Sequence, residues 1–371
     1  MRVRVYRSFE SLPDTYWRLD REVPAPGVTC RLAWYRNLVA TTTDEATSLR
    51  LFGLESRDGA AVALIVARWR RMPILYPYRH RLESWSNLYT LSFAPLVSTH
   101  AGPPATVAQA FAAALISESP APGSIRFDCW DPLSPLFEVF VEALRAEGFL
   151  IHSYHQFANL YEEVVGDTWE SYLGRRSSWL RTLLARKSKK LSQVGSHRFE
   201  VIEQGPTLDD IIETYGRVYR ASWKPPEPYP LFIPGLIETA AQAGWLRLGL
   251  LYLDEHPIAA QIWLLSAGRA TIYKLAHDER HRALSPGSLL TAHMLRLVIE
   301  GEGVREVDFG RGGEPYKSLW LGNRRERWGL LAFNRRQPGA LMEAARHLGA
   351  KRLRNLQHGL VGGAAGSPAT S

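Results

Sequence analysis

One stretch, residues 258–316, constrains the fold more than any other part of the chain. Its apolar alternation, its glycine and proline positions and one helical period predict five consecutive segments. They are a strand, a second strand, a polar loop, a helix and a third strand: residues 258–266, 270–277, 278–284, 289–300 and 304–309. A strand, a loop, a glycine-containing helix start and a strand that returns beside the first form a cradle.

The chemistry of this cradle follows from the segment that joins the loop to the helix. Ser285 is predicted to be the N-cap, and Pro286 suits the first helical position, where its missing N–H is not needed. Gly287 lets a ligand approach the backbone closely. Arg280, His281 and Arg282 come just before and add positive charge. Because a helix start favours anions, the segment predicts a phosphate site, with an ordinary helix cap between core strands as the alternative.

The composition sets the class of protein. The chain has 371 residues, of which 46% are hydrophobic and 22% charged, so we expect a folded protein of two ordinary domains. The net charge of +8 is compatible with nucleic acid, anionic lipid or a phosphate-rich ligand, and it does not choose among them. No P-loop or dinucleotide fingerprint is present.

Cysteines, histidines and apolar runs restrict the remaining options. Cys30 and Cys129 lie in apolar surroundings and are predicted to be reduced core thiols. His277 and His281 lack a third ligand at a suitable spacing, so no metal site is predicted. No run has the length of a transmembrane helix, and residues 1–10 lack a signal-peptide core. We therefore expect a cytoplasmic protein, with attachment to the inner face of the membrane left open.

The pattern of elements repeats in the two halves of the chain. Each half is predicted to run strand, two helices, three strands, helix, strand, helix, strand, although no sequence identity between the halves is evident. Four of the predicted elements are a strand, a long basic helix, a basic terminal helix and a disordered tail: residues 88–93, 169–191, 338–356 and 362–371.

The long basic helix has a narrow apolar stripe made by Leu173, Leu180, Leu184 and Leu191. Most of its basic residues lie away from that stripe: Arg175, Arg176, Arg181, Arg186, Lys187, Lys189 and Lys190. The stripe is predicted to pack on the core and the charges to face solvent. A solvated face is the favoured interpretation, and a platform for a phosphate-bearing acceptor or a membrane surface is the alternative.

Two motifs carry a resemblance to a known family. The segment from Arg282 to Gly287 resembles the Arg/Gln-x-x-Gly-x-Gly/Ala pyrophosphate loop of the GNAT acyltransferases, with Ser285 in place of the first glycine. Together with Asp308-Phe309-Gly310-Arg311-Gly312 and Tyr316-Lys317, it resembles the BioF2-like (CelD/BcsL) acetyltransferase group, relatives of the FemABX peptidyltransferases. The resemblance covers about residues 166–331, and the first half by topology.

The resemblance implies an α/β (α+β) class with tandem GNAT-like domains, each a mixed, mostly antiparallel sheet flanked by helices. It divides the chain into an N-terminal degenerate GNAT-like domain, a C-terminal acyltransferase domain with the acyl-CoA site, and a disordered tail: residues 1–165, 166–358 and 359–371. The first half is expected to be scaffold and acceptor wall. Acetyl-CoA or another acyl-CoA is the implied co-substrate, with no metal.

The resemblance also implies roles for individual residues. The predicted donor-binding residues are those of the loop and the helix start: Arg280, Arg282, Ser285, Pro286, Gly287, Ser288 and Leu289. Asp308 is the first choice of base or acceptor-orienting group, Glu314 the second, and Tyr316 the general acid. The predicted acceptor-binding residues are Lys317, Gln261, Trp223 and Lys274. For Asp308, Tyr316, Lys317 and Trp223, a turn cap, a packed aromatic, a surface charge and a core side chain are the respective alternatives.

Three functions remain open at this point. The favoured one is an acyl-CoA-dependent N- or O-acetyltransferase acting on a sugar, a cell-envelope or exopolysaccharide precursor, or a small metabolite. The second is a FemABX-like transfer of an amino acid from charged tRNA, and the third is a non-catalytic GNAT-fold module of a polysaccharide-synthesis complex. The expected partners are acyl-CoA and a small-molecule or saccharide acceptor, with peripheral membrane association and tRNA left open and DNA not expected.

Overall fold

One mixed sheet of 13 strands runs through the computed structural model of this protein, which describes residues 1–24, 27–205 and 208–347. The strand order is β1-β2-β3-β4-β6-β13-β7-β12-β11-β10-β9-β8, and β5 lies beside β3. The strands are β1 (Arg2–Tyr6), β2 (Thr47–Glu55), β3 (Ala61–Arg71), β4 (His80–Ser84), β5 (Leu96–Val97), β6 (Ser124–Trp130), β7 (Phe149–Glu163), β8 (His197–Ile202), β9 (Leu246–Leu253), β10 (His256–Ser266), β11 (Arg269–His277), β12 (Glu306–Arg311) and β13 (Asn323–Asn334).

Helices cover both faces of this sheet. They are α1 (Asp14–Glu22), α2 (Leu32–Thr42), α3 (Pro104–Ile116), α4 (Phe137–Ala146), α5 (Trp169–Gly174), α6 (Ser178–Val194), α7 (Leu208–Arg220), α8 (Phe232–Gln242), α9 (Pro286–Arg296) and a terminal helix at 338–347. Short 3-10 turns precede α2, α9 and β13, at Val28–Cys30, Glu279–Leu284 and Lys317–Leu319. The predicted mixed α/β architecture is confirmed.

Two strands are exchanged between the halves of the chain. β13, from the second half, lies between β6 and β7 and is antiparallel to both. β7, from the first half, lies between β13 and β12. Each half therefore completes its sheet with a strand from the other half. The domain boundary predicted near residue 165 stays a prediction, because the sheet continues across it.

A shared core joins the halves on one face of the sheet. It is built by α1 and α2 from the first half and by α7 and α8 from the second. The Trp34 and Phe232 rings meet edge to face at 5.3 Å, and Asn37 Nδ2 donates to the carbonyl of Phe232 at 3.1 Å. An added Cβ at Gly235 would lie 2.3 Å from Asn37 Oδ1, so any larger residue there would displace the Asn37 amide that joins α2 to α8.

The predicted strand at residues 88–93 is wrong. This segment is a loop with a single bridge from Phe93 to Trp130, and the strand that lies beside β6 in the sheet is β4. The alternation that predicted a strand comes from side chains buried in the loop, such as Tyr89 and Phe93. β4 was not predicted because charged residues interrupt its apolar pattern. One of them, Glu83, is buried and pairs with Arg68 at 2.7 Å.

The predicted long basic helix is two helices. α5 ends at Gly174, and α6 starts afresh with Ser177 as its N-cap, whose hydroxyl accepts the N–H of Leu180 at 3.2 Å. A side-chain cap of this kind stops the preceding helix from continuing through it. The apolar stripe is confirmed for α6, where Leu180, Leu184 and Leu191 are buried.

The C-terminal predictions are covered in part. Residues 338–347 are helical, and the remainder of the predicted terminal helix and the tail lie outside the described residues. Across the described ranges, no helix combines the length and the apolar composition that crossing a bilayer requires.

The strand exchange makes a prediction about stability. Leu330 of β13 is fully buried in the core beneath α3 and α4, so Leu330→Ala should destabilise the protein by about 2–5 kcal/mol. Because β13 belongs to the second half in sequence, both halves should unfold together in one urea transition, followed by tryptophan fluorescence and circular dichroism. Leu75→Ala, at a leucine that is 95% exposed, is the matched control and should change stability by less than about 0.5 kcal/mol. Two separate transitions in the Leu330 variant would contradict the shared-sheet account.

Candidate active site

Two neighbouring strands diverge at the centre of the sheet and open a cleft. β11 pairs in parallel with β12 where Arg269–Thr271 faces Glu306–Asp308. Beyond these residues β11 runs on to His277, whereas β12 turns at Gly310, which has φ of 65°. A cavity of about 210 Å³, called here the acceptor-side cavity, lies between the diverging strands. Its walls include Ile272, Tyr273, Lys274, Leu275, Phe309, Gly310 and Arg311.

The first half of the chain closes this cavity from the other side. Leu88, Tyr89 and Leu91 belong to the loop that was predicted to be a strand, and they line the acceptor-side cavity. The Tyr89 carbonyl accepts a hydrogen bond from the Tyr273 hydroxyl at 2.9 Å, which fixes the loop against β11. The cleft is therefore built by both halves of the chain.

The start of α9 is made differently from the prediction. Ser285 has a left-handed backbone, with φ of 54° and ψ of 49°, and its side chain makes no cap hydrogen bond. Its carbonyl oxygen instead accepts the N–H groups of Ser288 and Leu289 at 3.1 and 3.2 Å. The turn arises because the 3-10 turn Glu279–Leu284 ends directly at the helix, so one residue must reverse the chain. The side-chain cap belongs to Asp278, which accepts the N–H of Arg280.

Gln261 fixes the first turn of α9 from below. Its side chain is fully buried in β10, and its Nε2 donates to the carbonyl of Gly287 at 3.0 Å and to Thr291 Oγ1 at 2.8 Å. Its Oε1 accepts the indole N–H of Trp263 at 2.8 Å. Gln261 was predicted to touch the acceptor, and the structure places it beneath the helix instead. A polar residue in an apolar strand needed these partners, which the sequence does not display.

A second cavity, of about 550 Å³, begins at this helix start and is called here the donor-side cavity. Four of the predicted donor-binding residues line it: Arg282, Ser285, Gly287 and Ser288. Arg280 instead pairs with Asp278 at 2.7 Å and borders a different cavity, while Pro286 and Leu289 are buried. Four of the seven predicted residues therefore lie together at one cavity and three face elsewhere, and their role in binding a donor stays a prediction.

Positive charge surrounds the opening of the donor-side cavity. Pro286 has no N–H, and the N–H groups of Ser288 and Leu289 already bond the Ser285 carbonyl, so the helix dipole and the N–H of Gly287 are what this first turn offers to an anion. The side chain of Arg282 is 79% exposed beside this turn. From α6, Lys187 Nζ donates to the carbonyl of Ala283 at 2.6 Å, which carries a second cation to the same place. This end of α9 is suited to an anion such as a pyrophosphate.

His277 and Trp223 form one wall of the donor-side cavity. Their ring centroids are 4.7 Å apart, and His277 Nδ1 would lie 3.4 Å from a Cβ added at Gly287. Burial, with help from the charge of Arg282, lowers the pKa of His277, so its ring is neutral at pH 7. Among the described residues no group of three or more His, Cys, Asp and Glu side chains is arranged to hold a metal ion.

The two cavities adjoin, because four residues line both: Lys224, Leu275, Glu314 and Tyr316. Burial and the charge of Glu314 raise the pKa of Tyr316 to about 12, so the phenol keeps its proton at neutral pH. Burial opposes ionisation of Glu314, but the hydrogen bond and charge of Lys317 lower its pKa below the ordinary value. The junction therefore combines a phenol that can donate a proton with a carboxylate that can accept one.

Lys224 stands at the same junction and was missed by the sequence analysis. Burial and the nearby charge of Lys274 lower its pKa to about 8. Its only sequence signal was its place directly after Trp223, in a proline-rich loop without any period. Glu227, from the same loop, was missed as well; it accepts Lys274 Nζ at 2.7 Å and the Tyr89 hydroxyl at 2.6 Å.

Asp308, the first choice of base, does not line either of these two cavities. Its carboxylate accepts Asn159 Nδ2 and the N–H of Gly310, both at 2.6 Å, and pairs with Arg325. Burial alone would raise its pKa, but the charges of Arg325 and Arg269 and these hydrogen bonds hold it below the ordinary value. The structure therefore places Asp308 behind the cleft, where it shapes the turn of β12.

Comparison with known proteins identifies the architecture. Residues 179–318 match the family model described as "Acetyltransferase (GNAT) domain". The protein has a GNAT acyltransferase fold. The order of strands and helices repeats in the two halves, so the predicted tandem arrangement is confirmed. No curated protein sequence matches the chain.

Solved structures agree with this GNAT fold over nearly the whole chain. FemX aligns with a TM-score of 0.62 at 13% identity, covering 90% of this chain and 98% of FemX. L-PGS from Bacillus licheniformis aligns with a TM-score of 0.52 at 13% identity, covering 91% of this chain and 97% of that chain. A C-terminal domain from Agrobacterium fabrum, described as belonging to a lysylphosphatidylglycerol synthetase, aligns with a TM-score of 0.53 at 15% identity. The alignment covers 90% of this chain and 94% of that domain. At these identities the similarity is one of fold.

The environment of Lys224 predicts an unusual titration. In protein whose lysines carry ¹³C-dimethyl groups, the Lys224 resonance, assigned with Lys224→Arg, should titrate near pH 8. A peptide lysine titrates at about 10.4. Lys274→Met should move the midpoint of Lys224 upward, because it removes a repelling charge and frees Glu227. A midpoint above about 10 in the parent protein would show that the amine is not desolvated.

Proposed function

We propose that this protein transfers an acyl group from acyl-coenzyme A to an amine or hydroxyl group of a small acceptor. The carrying observation is the pair of adjoining cavities. One begins at the first turn of α9, beside Gly287 and Arg282, and the other lies where β11 and β12 diverge. A pyrophosphate at the helix start would leave the thioester to reach the shared wall formed by Glu314 and Tyr316.

The side chains at that wall have the properties that direct acyl transfer needs. The attacking nitrogen or oxygen bonds to the acyl carbon, the carbon–sulfur bond breaks, and the sulfur leaves as a thiolate that needs a proton. Tyr316, protonated up to about pH 12, is suited to give it. Glu314, ionised and held by Lys317 at 2.7 Å, is suited to orient the acceptor and take its proton. We assign Asp308 the role of positioning residue.

The two halves of the chain line different cavities, which supports the same proposal. The residues that line the donor-side cavity all come from the second half, whereas the acceptor-side cavity includes Leu88, Tyr89 and Leu91 from the first. We therefore propose that residues 166–358 bind the donor and that residues 1–165 act as scaffold and acceptor wall. The acceptor would be a sugar, an envelope or exopolysaccharide precursor, or a small metabolite, as the resemblance to the BioF2-like group implies.

A second candidate donor is an aminoacyl-tRNA. It is favoured by the basic face of α6, which includes Arg186, Lys189 and Lys190 and reaches the mouth of the donor-side cavity through Lys187. A transfer assay with each donor distinguishes the two candidates. Release of free CoA thiol with acetyl-CoA supports the first, and transfer of a labelled amino acid from charged tRNA supports the second. Binding of CoA without turnover over a broad mass-spectrometric acceptor screen would instead support a non-catalytic module.

Gly287→Val tests the donor site. A Cβ at Gly287 meets His277 Nδ1 at 3.4 Å, an ordinary contact, so the fold should persist. The isopropyl group would occupy the space into which a pyrophosphate must come, and CoA binding measured by calorimetry should weaken at least tenfold, or about 1.4 kcal/mol. Gly174→Val is the matched control, because an added Cβ there has open space and lies on α5. Equal CoA affinity in a folded Gly287 variant would remove the basis of the proposal.

Tyr316→Phe tests the proposed acid. Removal of the hydroxyl should lower turnover about 100-fold or more while CoA affinity stays within about twofold, because a proton donor acts in the transition state. Tyr6→Phe is the control, since its hydroxyl bonds Glu55 at the far edge of the sheet. Unchanged turnover in Tyr316→Phe would assign this residue to the cavity wall alone.

A further inference from the structure

The acceptor-side cavity has more positive than negative side chains around it. Lys224, Lys274, Arg311 and Lys317 line it, and the carboxylates against them are those of Glu314 and Glu227. Four cations thus face two anions, which leaves a surplus of two positive charges. A half-enclosed surplus of this kind costs free energy in the empty protein, because like charges repel and water is partly excluded.

Two of the four cations are already neutralised. Lys274 Nζ pairs with Glu227 at 2.7 Å. The Lys317 side chain is almost fully buried, and its ammonium donates to Glu314 at 2.7 Å and to the carbonyl of Arg311 at 2.6 Å. These two lysines hold the walls of the cavity together, and their charges are not available to a ligand.

Within the described part of the chain, the other two cations form no ion pair. Across residues 1–24, 27–205 and 208–347, no carboxylate oxygen lies within 4.0 Å of the side-chain nitrogen atoms of Lys224 or Arg311. Lys224 is at the junction with the donor-side cavity, against the rings of Trp223 and Tyr219. Arg311 is the last residue of β12 and lines the same cavity, with its guanidinium carbon 4.3 Å from the centre of the Phe157 ring. Aromatic faces hold both cations in place without neutralising them.

We propose that the acceptor carries an anionic group, a carboxylate or a phosphate, that binds in this cavity to Lys224 and Arg311. The inference rests on the proposed acyl transfer and specifies its acceptor class. An anion there would satisfy both unpaired cations by charge-assisted hydrogen bonds. It would leave the acceptor's amine or hydroxyl to face Glu314 and Tyr316, which line the same cavity. The two cations would thus determine specificity and orientation.

The bound anion has a measurable effect on Lys224. The charged groups that face this lysine are Lys274, Lys317, Glu227 and Glu314, and the neutral ring of His277 is the other titratable group nearby. Burial and the charge of Lys274 hold the pKa of Lys224 near 8 in the free protein. An anion beside the amine favours its protonated form, so anion binding must raise that pKa. Affinity for an anionic acceptor should accordingly fall as the pH rises through about 8.

A transfer assay uses three primary amines that differ in one group: ethanolamine, β-alanine and phosphoethanolamine. With saturating acetyl-CoA, at least one of the two anionic amines should be acetylated with kcat/KM at least tenfold above that of ethanolamine. Lys224→Met and Arg311→Met should each remove most of this preference, while Lys224→Arg should keep it. Arg57→Met, at an exposed arginine in the turn between β2 and β3, is the matched control. The proposal would be overturned if the parent protein acetylated the three amines equally well. It would also be overturned if both Met variants kept the parent's preference for the anionic amines.

A binding assay needs no turnover. With CoA filling the donor-side cavity, the ¹³C-dimethyl resonance of Lys224 is titrated alone, with inorganic phosphate and with acetate. The midpoint should rise from about 8 to about 9 or above with at least one anion, and the effective anion identifies phosphate or carboxylate as the preferred group. Arg311→Met should weaken the effect. A midpoint that neither anion moves would overturn the inference, even if CoA binds and the proposed acyl transfer stands. Absence of CoA binding would instead count against the proposed function.

Discussion

The buried ion pair between Asp308 and Arg325 ties together the three strands on which the cleft depends. Asp308 lies on β12 and Arg325 on β13, and Asn159 of β7 donates to Asp308 while accepting from Arg325. Arg325 also pairs with Glu306, at the start of β12. A buried charge left without these partners would be strongly unfavourable, so the network fixes where β12 may run. The divergence of β12 from β11, and with it both cavities, follows from that position.

The exchange of β7 and β13 connects the same network to the first half of the chain. Because β13 lies between β6 and β7, the residues that hold β12 also hold the first half of the chain. The loop that carries Leu88, Tyr89 and Leu91 is thereby placed against the cleft of the second half. The acceptor wall is a product of the exchange, since neither half alone supplies both sides of the cavity.

Local pattern was enough to predict most elements, and distant pairing was not. The hairpin of β10 with β11 and the start of α9 at Pro286 are set by short-range periodicity and by turn residues, and the sequence predicted both. Gln261 was predicted to bind the acceptor. Its partners Gly287 and Thr291 are far from it in sequence, so local pattern could not indicate them. Lys224 and Glu227 were missed because a proline-rich loop has no period that would indicate which side chains face inward. The position of β13 in the sheet could not be predicted either, because its partners β6 and β7 are far from it in sequence.

The strand exchange also has a consequence for biosynthesis. During translation β6 emerges early, but the strand that covers its open edge, β13, is made only after almost all of the second half. An uncovered edge presents unpaired N–H and carbonyl groups to any other extended chain. The nascent first half must therefore remain on the ribosome with an unfinished sheet. We therefore expect fast elongation or chaperones to contribute to its protection from other nascent chains until β13 is made.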